Sequence, residues 1–338
     1  MPVQDLNNTA RLLVPPTKGI LASDESLGTI QKRFDSISIE NNEENRKAYR
    51  ELLFTTSGLE EYISGVILFD ETIKGKDSNG KSFSQILSEK GIISGIKVDL
   101  GKIDLPNFPG EVITEGLDGL TDRLKEYFEL GAKFTKWRAE INIGEKIPSL
   151  NCISTNSEAL ARFAALSQAE GLVPIVEPEV MMKGSHDIDR SREVTASVLQ
   201  NLFLKLKEHV VDFSKILLKI NMVMPGEDCL NQVTPDVIAK ETVELFIKFV
   251  PKEVPGIVFL SGGQTSQQAT ENLNAINQIK DCPWPLSFSF GRALQDEALK
   301  VWAGKPENKE AGQKALLKRA RLVSLARQGL YRKEMENE

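Results

Sequence analysis

Histidine is nearly missing from this 338-residue chain, with only His186 and His209 present. A three-histidine zinc site is therefore impossible and a mixed one has little to build on, so no metal or other cofactor is expected. Nor is a Ser/His/Asp triad supplied, because neither histidine lies near a GxSxG elbow. Cysteine is scarce as well: Cys152, Cys229 and Cys282 are scattered, without CxxC spacing or disulfide density, which fits a reducing compartment. No apolar run approaches the ~20 residues that a spanning helix needs. Residues 1–10 show neither a signal-peptide core nor the arginine-rich character of a transit peptide. Positive charge is not in excess; the net charge is −6, which argues against bulk nucleic-acid binding while leaving room for a local anion site. A dinucleotide turn is absent too, since Ser26-Leu27-Gly28-Thr29 after the first strand candidate does not make GxGxxG.

What is present is a soluble globular composition, 41% hydrophobic and 27% charged. Length alone points to about two domains, yet single barrels commonly exceed the average domain. Strand candidates fall at 19–25, 65–71, 95–99, 134–140, 173–179, around Lys219, at 256–262 and at 286–292. Helical patterns fall between them at 43–55, 117–130, 157–170, 192–209, 235–249 and 265–278, with a Gly/Pro-rich loop over 101–116 and a basic amphipathic segment over 308–330. Strands alternating with helices are the rhythm of a parallel sheet. Eight such units predict an α/β protein, a closed (β/α)8 barrel filling residues 1–338 as one domain.

The stretch from Lys215 to Gly226 carries the sharpest chemical hint. Alternation along a strand puts Leu217, Lys219 and Asn221 on one side and Leu218, Ile220 and Met222 on the other. Lys219 is then an amine among apolar neighbours, where desolvation disfavours the ammonium and a neutral amine attacks carbonyls. A lysine snorkelling to water at a strand end fits the same stretch. The other strands weigh on that choice. In a barrel, alternate residues face the interior and active sites collect at the strands' C-terminal ends. That parity turns Asp24, Lys97, Lys136, Arg138, Glu177, Glu179 and Lys219 inward near those ends. A purely structural ion-pair lattice is the competing explanation, disfavoured because burying so much charge is costly. Ser261-Gly262-Gly263-Gln264 and Gly291-Arg292 end the last two strands, where barrels often bind phosphate through backbone N–H groups. An amine, carboxylates and an anion clamp suit Schiff-base chemistry on a phosphorylated ketone.

These residues carry a specific resemblance. The segments Gly19-Ile20-Leu21-Ala22-Ser23-Asp24-Glu25-Ser26, Gly95-Ile96-Lys97-Val98-Asp99, Lys136-Trp137-Arg138 and Val176-Glu177-Pro178-Glu179 are similar to signature segments of the class I fructose-bisphosphate aldolases. So are Leu217-Leu218-Lys219, Leu260-Ser261-Gly262-Gly263-Gln264 and Phe290-Gly291-Arg292-Ala293-Leu294-Gln295, in the same order over 19–331. The resemblance implies reversible, metal-independent cleavage of fructose 1,6-bisphosphate to dihydroxyacetone phosphate and glyceraldehyde 3-phosphate, in glycolysis, gluconeogenesis or the Calvin cycle. It makes Lys219 the Schiff-base lysine, Asp24 the acceptor of the C4 hydroxyl proton, and Glu177 the acid/base of imine formation and hydrolysis, for which a carboxyl pKa raised toward neutrality would help. Glu179 would orient cationic groups, Lys136 would favour a neutral Lys219, and Arg138 would hold substrate oxygens. Phosphate one falls to Ser261, Gly262, Gly291 and Arg292, and phosphate six to Ser26, Thr29 and Lys97, with Lys32 and Arg33 nearby.

Departures from the family pattern are expected to matter locally. Ile220 stands where a proline follows the Schiff-base lysine, and Leu100 where many relatives carry a basic residue. Many members end in a tail with a terminal tyrosine that assists proton exchange at C3. Here the sequence given ends with residues 331–338, so either another group carries that step, or the step is slower, or the chain has been shortened; Tyr331 is not assigned it. Partners implied are phosphorylated sugars, with no nucleic acid and no membrane, and a homo-oligomer, by resemblance a tetramer. The expected location is cytoplasmic, or the plastid stroma if a transit peptide has been removed. Alternatives are a Schiff-base barrel enzyme acting on sedoheptulose bisphosphate or a monophosphorylated ketose, and a sugar-phosphate-binding protein that has lost catalysis.

Overall fold

The computed structural model describes residues 5–338; residues 1–4, the start of the polar lead-in, lie outside the described residues. The chain opens with α1 (Leu6–Leu12), β1 (Gly19–Ser23), α2 (Leu27–Asp35), α3 (Glu43–Thr55), β2 (Ile63–Leu68), α4 (Asp70–Lys74), α5 (Phe83–Glu89) and β3 (Ile93–Lys97). A short hairpin, β4 (Lys102–Asp104) and β5 (Val112–Thr114), precedes α6 (Leu120–Glu129), β6 (Phe134–Ile141), α7 (Leu150–Ala169), β7 (Val173–Val180), α8 (Ile188–Glu208) and β8 (Leu217–Ile220). Then come α9 (Pro235–Phe249), β9 (Ile257–Phe259), α10 (Ser266–Gln278), β10 (Leu286–Phe290), α11 (Arg292–Trp302) and α12 (Lys309–Arg327). Apart from the hairpin, the strands pair in parallel in chain order and β10 closes on β1, giving the expected (β/α)8 barrel.

Strands of such a barrel are covered on both faces, so they read as nearly continuous apolar runs. The outward side chains, among them Trp137, Val176, Leu218, Ile220 and Phe259, pack beneath the helices. The inward ones, Ile20, Ala22, Ile67, Phe134, Val173, Ile175, Leu217 and Val258, fill the lumen. Leu6, Ala10, Leu13 and Val14, from α1 and the residues just after it, join that cluster at the strands' N-terminal ends and plug the bottom of the barrel. Packing is tight there. The Phe134 ring lies where a Cβ on Gly95 would have to go, so the strand passes only as glycine.

Several expectations shift at element ends. Asp70 and Glu71 open α4 instead of ending a strand, and Arg292 opens α11. The segment 101–116 contains the β4–β5 hairpin, whose three-residue strands are too short to show a period in the sequence. Asn221 does not share the lumen with Lys219, because β8 stops at Ile220. Its side chain turns outward, accepting from the Val180 N–H at 3.1 Å and donating to the Met222 carbonyl at 3.1 Å.

Candidate active site

At the C-terminal mouth of the barrel lies a cavity of about 890 Å3, and every site residue singled out from the sequence lines it. The strand register explains the convergence. β3 and β6 align Lys97 with Lys136, and β6 and β7 align Arg138 with Glu177. Leu217 and Lys219 share the inward face of β8, so the lysine stands one layer above the apolar fill.

The centre is a chain of alternating charges contributed by four different strands and their ends. Lys219 Nζ is 3.0 Å from Glu177 Oε1, Glu177 Oε2 is 2.8 Å from Lys136 Nζ, and Lys136 Nζ donates to Asp24 Oδ2 at 2.9 Å. All four groups are buried or nearly so. Burial alone would push both carboxyls up, but Lys136 and Lys219 outweigh it and hold Asp24 and Glu177 below their ordinary values. Burial likewise pushes Lys136 down, and Asp24 and Glu177 reverse that, so its ammonium is held above the usual lysine value. A Glu177 carboxyl raised toward neutrality, expected for its proton-transfer task, is therefore not the resting state. Nor does Lys136 act on Lys219 as a bare second positive charge, because Glu177 sits between them.

Arg138 is equally committed. It donates through Nε to Glu179 and through Nη1 to Glu140 at 2.6 Å, and Glu140 is also paired with Lys102. Glu179 thus orients a cationic group as expected, while Arg138 reaches the cavity with its guanidinium already held from behind.

Two flanks of the cavity suit anions. On one, Ser261, Gly262 and Gly263 turn between β9 and α10, with Gly262 at φ 53°, a left-handed turn that favours glycine. Beside it Gly291 precedes α11 and supplies no side-chain cap, leaving the N–H groups of Arg292 and Ala293 without an acceptor among the described residues. Arg292 ties the two turns together by donating to the Gly262 carbonyl at 2.5 Å. On the other flank Ser26 caps α2, its Oγ 3.1 Å from Thr29 Oγ1, and Lys97 Nζ lies 2.6 Å from Asp99 Oδ1. Lys32 is exposed at the rim. Arg33 departs from expectation. It pairs with Glu25 at 2.8 Å, and its Nη2 is 3.5 Å from where a Cβ on Gly291 would sit, so it stands with the Gly291–Arg292 turn rather than with Lys97. Tyr331 is remote: it is buried and donates to Glu336 at 2.9 Å.

Some lining groups escaped the sequence reading. Ser289, buried, has an Oγ with no hydrogen-bond partner among the described residues. The alternation of β10, with Phe288 and Phe290 packed outward, would have found it. Glu140 shares the parity of Lys136 and Arg138, so the alternation of β6 places it on the cavity wall as well. Glu25 had no such signal, since its partners Arg33 and Arg50 come from helices.

A buried amine, carboxylates within proton-transfer reach and anion-ready turns at the mouth of this barrel fit a (β/α)8-barrel enzyme acting on a phosphorylated carbonyl compound. More particularly, the chain belongs to the class I fructose-bisphosphate aldolase family, whose family model, described as glycolytic, fructose-bisphosphate aldolase class-I, matches residues 5–338. It is 53% identical to a probable fructose-bisphosphate aldolase class 1 of Xylella fastidiosa, the match covering 98% of this chain and 100% of that protein. It is 52% identical to a cytosolic fructose-bisphosphate aldolase 4 of Arabidopsis thaliana, over 97% of this chain and 84% of that one. Among solved structures, fructose-bisphosphate aldolase from Plasmodium falciparum, crystallised with TRAP and a small-molecule inhibitor, superposes with a TM-score of 0.95 at 46% identity, covering 97% of this chain and 95% of that chain. Aldolase activity on fructose bisphosphate, a lyase reaction of glycolysis, comes with the family.

Proposed function

We propose that Lys219 forms the imine with the C2 ketone of fructose 1,6-bisphosphate and that the charge chain Lys219–Glu177–Lys136–Asp24 moves the protons. That chain is the observation that carries the assignment. Glu177 takes the proton of the Lys219 ammonium, freeing the amine to attack C2. The attacking nitrogen then passes one proton to the new alkoxide and the same carboxyl returns the other, so the carbinolamine oxygen leaves as water and the protonated imine remains. Asp24 accepts the C4 hydroxyl proton, the C3–C4 bond breaks toward the protonated imine, and glyceraldehyde 3-phosphate departs. The remaining enamine is protonated at C3, and water added at C2 regenerates the amine and releases dihydroxyacetone phosphate. Lys136 remains cationic throughout, held by two carboxylates, and stabilises whichever of them is ionised. Glu179 holds Arg138 toward the substrate oxygens. Ser261, Gly262, Gly291 and Arg292 hold phosphate one, joined by Arg33, whose position supports this end. Ser26, Thr29, Lys97 and Lys32 hold phosphate six.

Incubation with dihydroxyacetone phosphate, borohydride reduction and peptide mapping tests the nucleophile. A stable adduct at Lys219 that vanishes in Lys219→Ala is expected. An adduct elsewhere, or one surviving in the variant, overturns the assignment. We further infer one folding domain over 1–338, a homotetramer by family resemblance, checked by sedimentation, and a cytoplasmic location, since the relatives from Arabidopsis and pea are named cytosolic and cytoplasmic.

A further inference from the structure

Asp296 lies on α11 one turn beyond Arg292 and one turn before Lys300, a spacing that puts all three on one helix face. That face lines the substrate cavity, and Arg33 on α2 closes against the same turn. A half-buried carboxylate between an arginine and a lysine at this spacing ordinarily closes an ion pair. Asp296 makes neither an ion pair nor a hydrogen bond among the described residues. Arg292 is turned to the Gly262 carbonyl and Arg33 to Glu25, while both remain, with Lys300, the cations that Asp296 feels. Burial raises the Asp296 carboxyl above the ordinary aspartate value, and those three cations pull against it.

We propose that Asp296 is a specificity-determining residue that weakens the hold of the Gly291–Arg292 turn on a phosphate dianion, by placing a negative charge of the protein beside the anion site. The proposal rests on the reading above that this turn binds the phosphate next to the ketone. Arg33, Arg292 and Lys300 then serve two anions at once, and the incoming phosphate meets only part of their field. The effect falls on the ketose product, whose phosphate stays in this turn after the aldehyde has left. Dihydroxyacetone phosphate leaves a site that already opposes it.

Inorganic sulfate, a dianion of constant charge over the assay range, is the probe, used as a competitive inhibitor of fructose 1,6-bisphosphate cleavage. In Asp296→Asn the inhibition constant should fall about 3- to 10-fold at low ionic strength, with KM falling in parallel. The difference should narrow in high KCl, which a packing defect would not do. Asp296→Ala, which offers no new donor, should behave alike. An unchanged constant in both variants, or a change that ignores salt, overturns the proposal. Arg292→Ala separates the two readings. If sulfate fails to inhibit, or Arg292→Ala leaves its constant unaltered, the phosphate reading falls and this one with it. If Arg292→Ala weakens sulfate while Asp296→Asn does nothing, only the role of Asp296 is lost.

Discussion

Glu177 sits between the site's two buried lysines, one of its oxygens facing each. Glu177→Gln removes the carboxylate between Lys136 and Lys219; Lys136 keeps Asp24, while Lys219 loses the one acid it pairs with among the described residues, and a buried charge left without its partner costs about 3–5 kcal/mol. Denaturant unfolding at neutral pH should show that loss, together with failure of imine trapping. A variant as stable as the wild type would mean that the lysines find other partners. Acid should act on the same groups. Asp24 and Glu177 are held below their ordinary pKa values in the folded state, so the unfolded chain binds more protons as pH falls. Their contribution is complete above the ordinary carboxylate range and is lost on acidification through and below it. In Asp24→Asn the acid limb should therefore be shallower, and the stability gap to wild type should shrink between neutrality and about pH 3. At this scale the sequence was informative wherever strand parity applied: Asp24, Lys136, Glu177 and Lys219 could be placed together before any coordinates. The ionisation state of Glu177 was not legible, because it depends on distances across three strands. The direction of Arg33 was not legible either, because it is set by the pairing with Glu25, a contact with no period in the sequence.

Among the elements, α9 was readable to its bounds, since Thr234-Pro235 marks a start and its apolar period runs unbroken to Phe249. α11 is not among the helices expected from the sequence: only its first residue, Arg292, falls in an expected element, the strand that Gly291-Arg292 was read as ending. β3 and β6 are tied by the contact between Gly95 and Phe134. Gly95→Ala should destabilise by about 1–3 kcal/mol through overpacking, and Phe134→Leu in the same chain should recover part of it. An additive double variant would place the strain elsewhere. Leu13→Ala, which opens the plug beneath the lumen, should cost about 2–5 kcal/mol by denaturant unfolding, with KM unaltered, because the site is at the opposite end.

For the whole molecule, the last turn is fastened to the outer ring. Arg319 on α12, almost wholly buried, donates to both oxygens of Glu336 at 2.8 and 2.7 Å, and Tyr331 donates to the same carboxylate. Glu336→Gln should lower Tm by about 2–4 °C without altering KM, since no member of that cluster lines the cavity. One cooperative transition in the wild type, seen alike by tryptophan fluorescence and circular dichroism, is expected of a single barrel. The plug formed by α1 makes the barrel a well with a sealed floor. Whatever reaches or leaves Lys219 therefore passes through one mouth: in the mechanism proposed above, the water that releases the ketose enters by the opening through which the aldehyde leaves. The covalent link proposed at Lys219 sets which product leaves first; the closed floor adds that substrate, water and both products share one door and none can drain past the plug.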